Sequence, residues 1–319
     1  MEWDGRTLGL VGGVLLLLAT ATTIVRILNR RAADGGGLNT AVLQTLSLRV
    51  RAWWLLCTVL AAAFLIHPIA TIVLFGFISF WALREFITLT PTRPGDHRAL
   101  FWVFFLCTPL QFVLVGFRRY ELYSVVIPVY AFLLIPARIA LSGDYKRFLE
   151  RTAKIQVGLL ICVYCFSFAP ALLTLQLPHG SSPTRLLFFF VLMVQLSDAL
   201  QYAWAQLPSK HVIVPTVNPS RTWEGLLGGT ASVSLIGAIL WWATPFSPWM
   251  AAIMSMVIAL MGFGGAMTMS AIKRDRGVKD YGTLVEGHGG VLDRIDSICF
   301  AAPVFYHITV LLFPAAIRL

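Results

Sequence analysis

Trp249–Thr268 reads WMAAIMSMVIALMGFGGAMT, twenty residues without a single charge, and one residue later comes Ser270–Asp296, SAIKRDRGVKDYGTLVEGHGGVLDRID, with five basic and five acidic residues. An uncharged run of about 17–25 apolar residues is what a helix needs to cross a bilayer. Backbone polar groups find no water there, so only helices or closed barrels span. Barrel strands would show alternation over roughly ten-residue segments, which is absent. The junction therefore reads as a membrane helix that ends in a charged loop.

The same alternation of oily run and short polar segment extends over the whole chain. The 319 residues are 58% hydrophobic and 13% charged, with a mean hydropathy of +0.78. Ordinary soluble domains are about 45–50% apolar and about 25% charged. The fold class expected is all-α: a polytopic helical membrane protein of about ten spans, counted as eight to ten. The candidate spans cover 7–28, 52–66, 69–83, 99–115, 122–140, 155–174, 186–206, 225–246, 249–268 and 298–316. The second and third split at His67-Pro68, which suits a kinked hairpin or a re-entrant element.

With the N-terminus outside, 20 of the 25 cations fall on one side of the membrane. Only Arg6, Arg118, Arg119, Arg185 and Arg318 fall on the other. That asymmetry follows the positive-inside rule and makes the Ser270–Asp296 loop cytoplasmic. The net charge of +10 needs no nucleic acid, because basic cytoplasmic loops are topology determinants and no soluble module exists to read a nucleic acid. All five cysteines lie within spans, and Cys162-x-x-Cys165 has no second pair beside it, so these are expected as small buried residues.

Residues 1–185 carry few intramembrane charges and read as scaffold, while 186–319 read as the catalytic region of one integral membrane domain. Asp198, after Ser197 in LMVQLSDALQYAW, costs about 2.5–3.5 kcal/mol inside a span unless it lines a site. The loop HVIVPTVNPSRTWEGLLGG, from His211 to Gly229, is kept non-helical by Pro215 and Pro219. Ser220 or Thr222 can then cap the helix that follows, whose free N–H groups, with Arg221 alongside, form a docking point for phosphate. Asp293 and Asp296 stand i, i+3 and would share one face if Val291 onward is helical, so both carboxylates could reach one metal, and Asp280 could complete the site. His288, inside Gly287-His288-Gly289-Gly290, can bond phosphate, ligate metal or move a proton.

These residues resemble the integral-membrane cytidylyltransferase family that includes CDP-diacylglycerol synthase. Its signature, S-x-x-K-R-x₄-K-D followed by P-G-H-G-G-x-x-D-R-x-D, matches Ser270, Lys273, Arg274, Lys279, Asp280, Gly287, His288, Gly289, Gly290, Asp293, Arg294 and Asp296 in register. An upstream block is also similar: Ser197-Asp198, Tyr202, Lys210-His211, Pro215 and Asn218 to Gly225, including Thr222 and Glu224. Glu286 departs from the pattern, as do Asn218, Arg221 and Gln201, the last where a small residue is common.

The resemblance implies transfer of a cytidylyl group from CTP to phosphatidate in phospholipid biosynthesis, releasing pyrophosphate. The same transfer to another lipid or polyprenyl phosphate is the nearest alternative. It implies Mg²⁺ or another divalent cation at Asp280, Asp293 and Asp296, with Asp198 as a further ligand. Lys273, Arg274, Lys279 and Arg221 would hold phosphates, Arg294 would flank the metal, and the Gly287–Gly290 backbone would lie against the nucleotide. Ser197, Thr222 and Glu224 join the substrate site, and Lys279 and His288 join the catalytic group. The partners expected are CTP, a lipid phosphate and membrane lipids; a homodimer is left open. An anionic-metabolite transporter fits less well, because the charges gather on one side and no internal repeat is visible.

Overall fold

The computed structural model describes residues 5–33, 47, 54, 67–90, 92–178, 180–207, 211–278, 281 and 290–317. Its packing divides the chain into two compact units, Met1–Thr71 and Ile72–Leu319. In the first, helix α1 spans Gly5–Ala33. The Thr22 hydroxyl on it bonds the Leu18 carbonyl at 2.6 Å and accepts the Trp54 indole N–H at 3.0 Å.

Helix α2, Pro68–Thr88, starts on a proline whose missing N–H costs nothing in a first turn and runs into the second unit. That unit continues with α3 (Pro94–Gly116), α4 (Tyr120–Ala140), α5 (Phe148–Thr174), α6 (Pro183–Trp204), α7 (Trp223–Ile239), α8 (Pro248–Asp275) and α9 (Leu292–Leu312). All of these except α7, together with α2, are long and apolar enough to cross a membrane, seven among the described residues. With α1 (29 residues) and α7 (17 residues), they coincide with nine of the ten expected spans. The tenth, 52–66, lies outside the described residues except for Trp54.

Several boundaries differ from the sequence reading, and two of them bear on the site. Helix α8 runs on past 268 to Asp275, where Lys273 and Arg274 suit the negative end of the helix dipole. Helix α9 begins at Leu292, not near 298, because a carboxylate from α2 satisfies its first N–H groups.

Helices α6 to α9 pack against one another in succession, and α9 also packs on the C-terminal half of α5. Apolar residues dominate the core, with Phe166, Phe168, Phe189, Phe190 and Phe305 fully buried. Small residues set how close the helices come. A Cβ on Gly265 of α8 would lie 2.7 Å from the Asp296 carbonyl oxygen, so only glycine lets α8 approach α9 there. Helices α3, α4 and α5 each contain a π-helical turn. Ser79 of α2 donates to the Cys162 carbonyl within the last of these at 2.7 Å. Cys107, Cys162, Cys165 and Cys299 are free thiols.

A buried ion cluster ties the connections at one end of the bundle. Arg151, at the start of α5, donates to Asp96 at 2.7 and 3.0 Å and pairs with Asp144 at 3.0 Å. Arg151 is 4% exposed and Asp96 1%. Its Nη1 also donates to the carbonyls of Asp144 and Lys146, and such added hydrogen bonds are what let a buried pair persist.

Candidate active site

The His211–Thr222 loop closes on itself before α7 begins. Val212 and Thr222 form an antiparallel bridge, and Ile213 N–H donates to the Arg221 carbonyl at 3.1 Å. Of the two expected caps it is Thr222 that accepts the Gly225 N–H, at 3.0 Å. Ser220 instead donates to Asn218 Oδ1 at 2.6 Å. Glu224 accepts the His211 N–H and a second bond involving its ring Nδ1. The loop is stapled to the end of α8: Asn218 Nδ2 donates to Ser270 Oγ at 3.0 Å, and Arg274 Nε donates to the Val217 carbonyl at 3.2 Å. Thr222, Glu224 and Arg274 thus hold the loop that presents Arg221.

Arg221 turns back onto α6. Its Nη2 donates to Asp198 Oδ1 at 3.0 Å and its Nη1 to Gln201 Oε1 at 2.6 Å. Its guanidinium carbon stands 5.8 Å from the Phe263 ring of α8. The other oxygen of Asp198 accepts the Ser297 hydroxyl at 2.8 Å, and that hydroxyl lies 3.5 Å from Asp296 Oδ1. Asp296 Oδ1 also accepts the Ser297 N–H at 2.7 Å. Two carboxylates from α6 and α9 therefore meet across one hydroxyl, beside an arginine from the α6–α7 loop. Ser197 Oγ, one residue before Asp198, accepts from Gln201 Nε2 at 3.0 Å.

Asp293, three residues from Asp296, faces a different set of partners. Its Oδ1 accepts from Lys273 Nζ at 2.7 Å, with the two side chains 11% and 16% exposed. Its Oδ2 accepts the N–H groups of Tyr281 at 2.9 Å and Gly290 at 3.0 Å. These two residues flank 282–289, so one oxygen fixes both ends of the signature segment. Tyr281 is buried, donates its hydroxyl to the Met269 carbonyl at 2.9 Å, and lies with its ring centroid 5.4 Å from Lys273 Nζ. Burial first, and then the neighbouring Asp293 charge, push its phenol above the ordinary range.

Glu85 completes the arrangement from α2. Its two oxygens accept the N–H groups of Val291 at 3.0 Å and Leu292 at 2.8 Å. A carboxylate at a helix N-terminus satisfies orphan donors and meets the positive end of the dipole.

Among the sequence-predicted residues, Ser197, Asp198, Arg221 and Asp296 thus come to one place, and Lys273, Asp293 and Gly290 to another on the same helix start. Arg294 lies on α9 between the two aspartates. Lys279, Asp280, Gly287, His288 and Gly289 lie outside the described residues. Sequence reasoning did not single out Ser297, Tyr281 or Glu85. Glu85 carried a signal, a carboxylate only two residues beyond the expected span 69–83, whereas Ser297 and Tyr281 are ordinary residue types in ordinary places.

The donor set at Asp198 and Asp296 is hard oxygen, two carboxylates and a hydroxyl, which suits Mg²⁺ with its preference for one or two carboxylates plus substrate phosphates. Among the described residues no three or more His, Cys, Asp or Glu side chains gather as a ready-made cation cage.

Comparison with known proteins gives a consistent result. The sequence pattern of the cytidylyltransferase family matches residues 47–312. The chain is 36% identical over 295 residues to the Escherichia coli K12 protein named "Uncharacterized protein YnbB", covering 91% of this chain and 94% of that one. It is 33% identical over 180 residues to the phosphatidate cytidylyltransferase of Mycobacterium leprae, 55% of each chain. To that of Synechocystis sp. it is 41% identical over 100 residues, 31% of this chain and 34% of the other. The match thus spans about half or less of these phosphatidate cytidylyltransferases.

Proposed function

The chain belongs to the cytidylyltransferase family, and from that premise we propose that it is a membrane enzyme converting CTP and phosphatidate to CDP-diacylglycerol and pyrophosphate. An oxygen of the lipid phosphate attacks the α-phosphorus of CTP, the α–β anhydride bond breaks, and pyrophosphate leaves with the electron pair. One anhydride replaces another, so the reaction is near balance, and direct displacement proceeds without a covalent enzyme intermediate. Catalysis of such a transfer is mostly alignment and charge neutralisation.

The observation that carries this reading is the meeting of Asp198, Arg221 and Asp296 from three separate elements. Polyanionic substrates need carboxylates for a cation and a cation for their own oxygens at one point, and this is such a point. Asp198 and Asp296 would hold a divalent metal. When bound, that metal would neutralise charge on the phosphates. Arg221 binds phosphate oxygens, and Lys273 supplies a second positive charge beside the signature segment. Lys279, Asp280, His288 and the Gly287–Gly289 backbone complete the nucleotide side by their place in the motif, while the Gly290 N–H is held by Asp293. The 20 cations on one side favour a site on the cytoplasmic face, where water-soluble CTP meets the lipid headgroup.

Purified protein in detergent, given CTP, Mg²⁺ and a panel of lipid phosphates, should release pyrophosphate and form the CDP-lipid with phosphatidate. Pyrophosphate release with a polyprenyl phosphate alone would move the acceptor; none with any acceptor would overturn the activity.

A further inference from the structure

We propose that Gln201 is a positioning residue for substrate binding: it holds the Arg221 guanidinium in place without cancelling its charge. This rests on the cytidylyl transfer proposed above.

Gln201 lies on α6, three residues beyond Asp198 on the same helical face, and is 2% exposed. Its amide has only one possible orientation. A guanidinium has donors alone, so the atom 2.6 Å from Arg221 Nη1 must be the carbonyl oxygen. The Ala259 backbone oxygen accepts alone, so the atom 3.3 Å from it must be the NH₂ group, which also donates to Ser197 Oγ at 3.0 Å. Rotating the amide would set donor against donor and acceptor against acceptor, both buried. The Gln201 oxygen is thus pointed at Arg221 by α8, through Ala259.

The space for this side chain comes from α7. A Cβ on Gly229 would lie 2.6 Å from Gln201 Cγ, and one on Gly225 would lie 2.6 Å from the Gln201 backbone oxygen. Gly229 leaves room for the side chain and Gly225 for the backbone that carries it, so the χ angles are restricted by packing as well as by hydrogen bonds. The guanidinium is then gripped by Gln201 and Asp198 from α6 and by the Phe263 ring from α8.

The chemical identity of the second acceptor matters. Asp198 holds Arg221 with an opposite charge, which weakens its field toward an incoming phosphate. Gln201 adds a charge-assisted hydrogen bond with a neutral group, so geometry is gained and the positive charge is kept. Two of the five guanidinium N–H donors are spent on α6 in this way. An arginine already held in position gives up less conformational freedom when it binds phosphate, and that saving appears in KM.

The test is steady-state kinetics with CTP and phosphatidate, alongside thermal unfolding in the same detergent. Gln201→Met fills the slot and removes the acceptor. It should raise KM for CTP or phosphatidate about tenfold, the scale of one hydrogen bond to a charged group, with kcat changed by less than about threefold. Gln201→Glu keeps the acceptor but cancels the charge. It should raise KM comparably in the protein that folds, with a lower unfolding midpoint because its second oxygen faces the Ala259 carbonyl, and it decides the matter if Gln201→Met does not fold. In an Arg221→Lys background, where one ammonium cannot serve both acceptors, Gln201→Met should add less than about twofold, since residues acting as a unit are non-additive. Unchanged KM in both Gln201 variants, or effects that multiply independently of Arg221, overturn the inference. An inactive wild type overturns the activity and this inference together. An active wild type with unaltered Gln201 variants overturns this inference alone.

Discussion

Glu85, near the end of α2, accepts the N–H of Leu292 at 2.8 Å, so a residue 207 positions earlier in the chain starts the helix that carries Asp293 and Asp296. The same carboxylate takes the Val291 N–H. The N-terminus of α9 is therefore filled by an internal anion, so its Val291 and Leu292 N–H groups are already satisfied within the protein.

Removing that carboxylate should loosen α9. Glu85→Ala leaves two N–H groups without their acceptor, at about 1–3 kcal/mol for each buried group left unsatisfied. Thermal unfolding in detergent should show a clear fall in midpoint, with Glu85→Gln, which retains one acceptor oxygen, in between. Equal midpoints in all three proteins would mean that the cap contributes nothing.

Asp293 and Asp296 should part company on mutation. Asp296→Asn alters a carboxylate that meets Asp198, so turnover should fall by orders of magnitude across all Mg²⁺ concentrations while the unfolding midpoint holds. Asp293→Asn breaks the Lys273 pair and weakens the grip on Tyr281 and Gly290. It should lower stability by about 1–3 kcal/mol, less than a fully buried pair would lose, as well as activity. Identical stability losses in both variants would contradict the separation seen between their partners.

Arg221→Ala should reduce kcat/KM by about a hundredfold, the scale of a lost hydrogen-bonded charge contact. Because Nη1 and Nη2 reach two different acceptors, lysine cannot reproduce the fork. Arg221→Lys should recover only a small part of that loss. Full recovery would show that charge alone matters at this position.

The Arg151–Asp96 pair offers a contrast away from the site. Arg151→Met strands a buried carboxylate, at about 3–5 kcal/mol, and should lower the unfolding midpoint sharply. Turnover per folded molecule should stay near wild type. A selective loss of kcat in protein that remains folded would bring this cluster into the mechanism.

Hydropathy made the helices legible because crossing a bilayer is a one-dimensional demand: enough consecutive apolar residues, read from any single segment such as 249–268. Ends were less legible. The start of α9 at Leu292 depends on Glu85, and no local pattern around 292 names a partner on α2. The spacing of Asp293 and Asp296 says only that they share a face once the chain is helical from 292, which the structure shows. It does not say that one meets Lys273 while the other meets Ser297 and Asp198.

By itself, then, the sequence determined the membrane class, the helical architecture, the charged signature and the family, since each depends on residue types at short, fixed spacing. Tertiary structure alone decided which charges are partners. Gln201 stood out in sequence only as a departure from a pattern. Only the packed helices show that Ala259 of α8 orients its amide and Gly229 of α7 makes room for it, the contacts on which its proposed role rests. Hydrogen bonds and close packing act over about 3 Å between atoms, and residues 20 to 200 positions apart reach that distance only when the helices have packed.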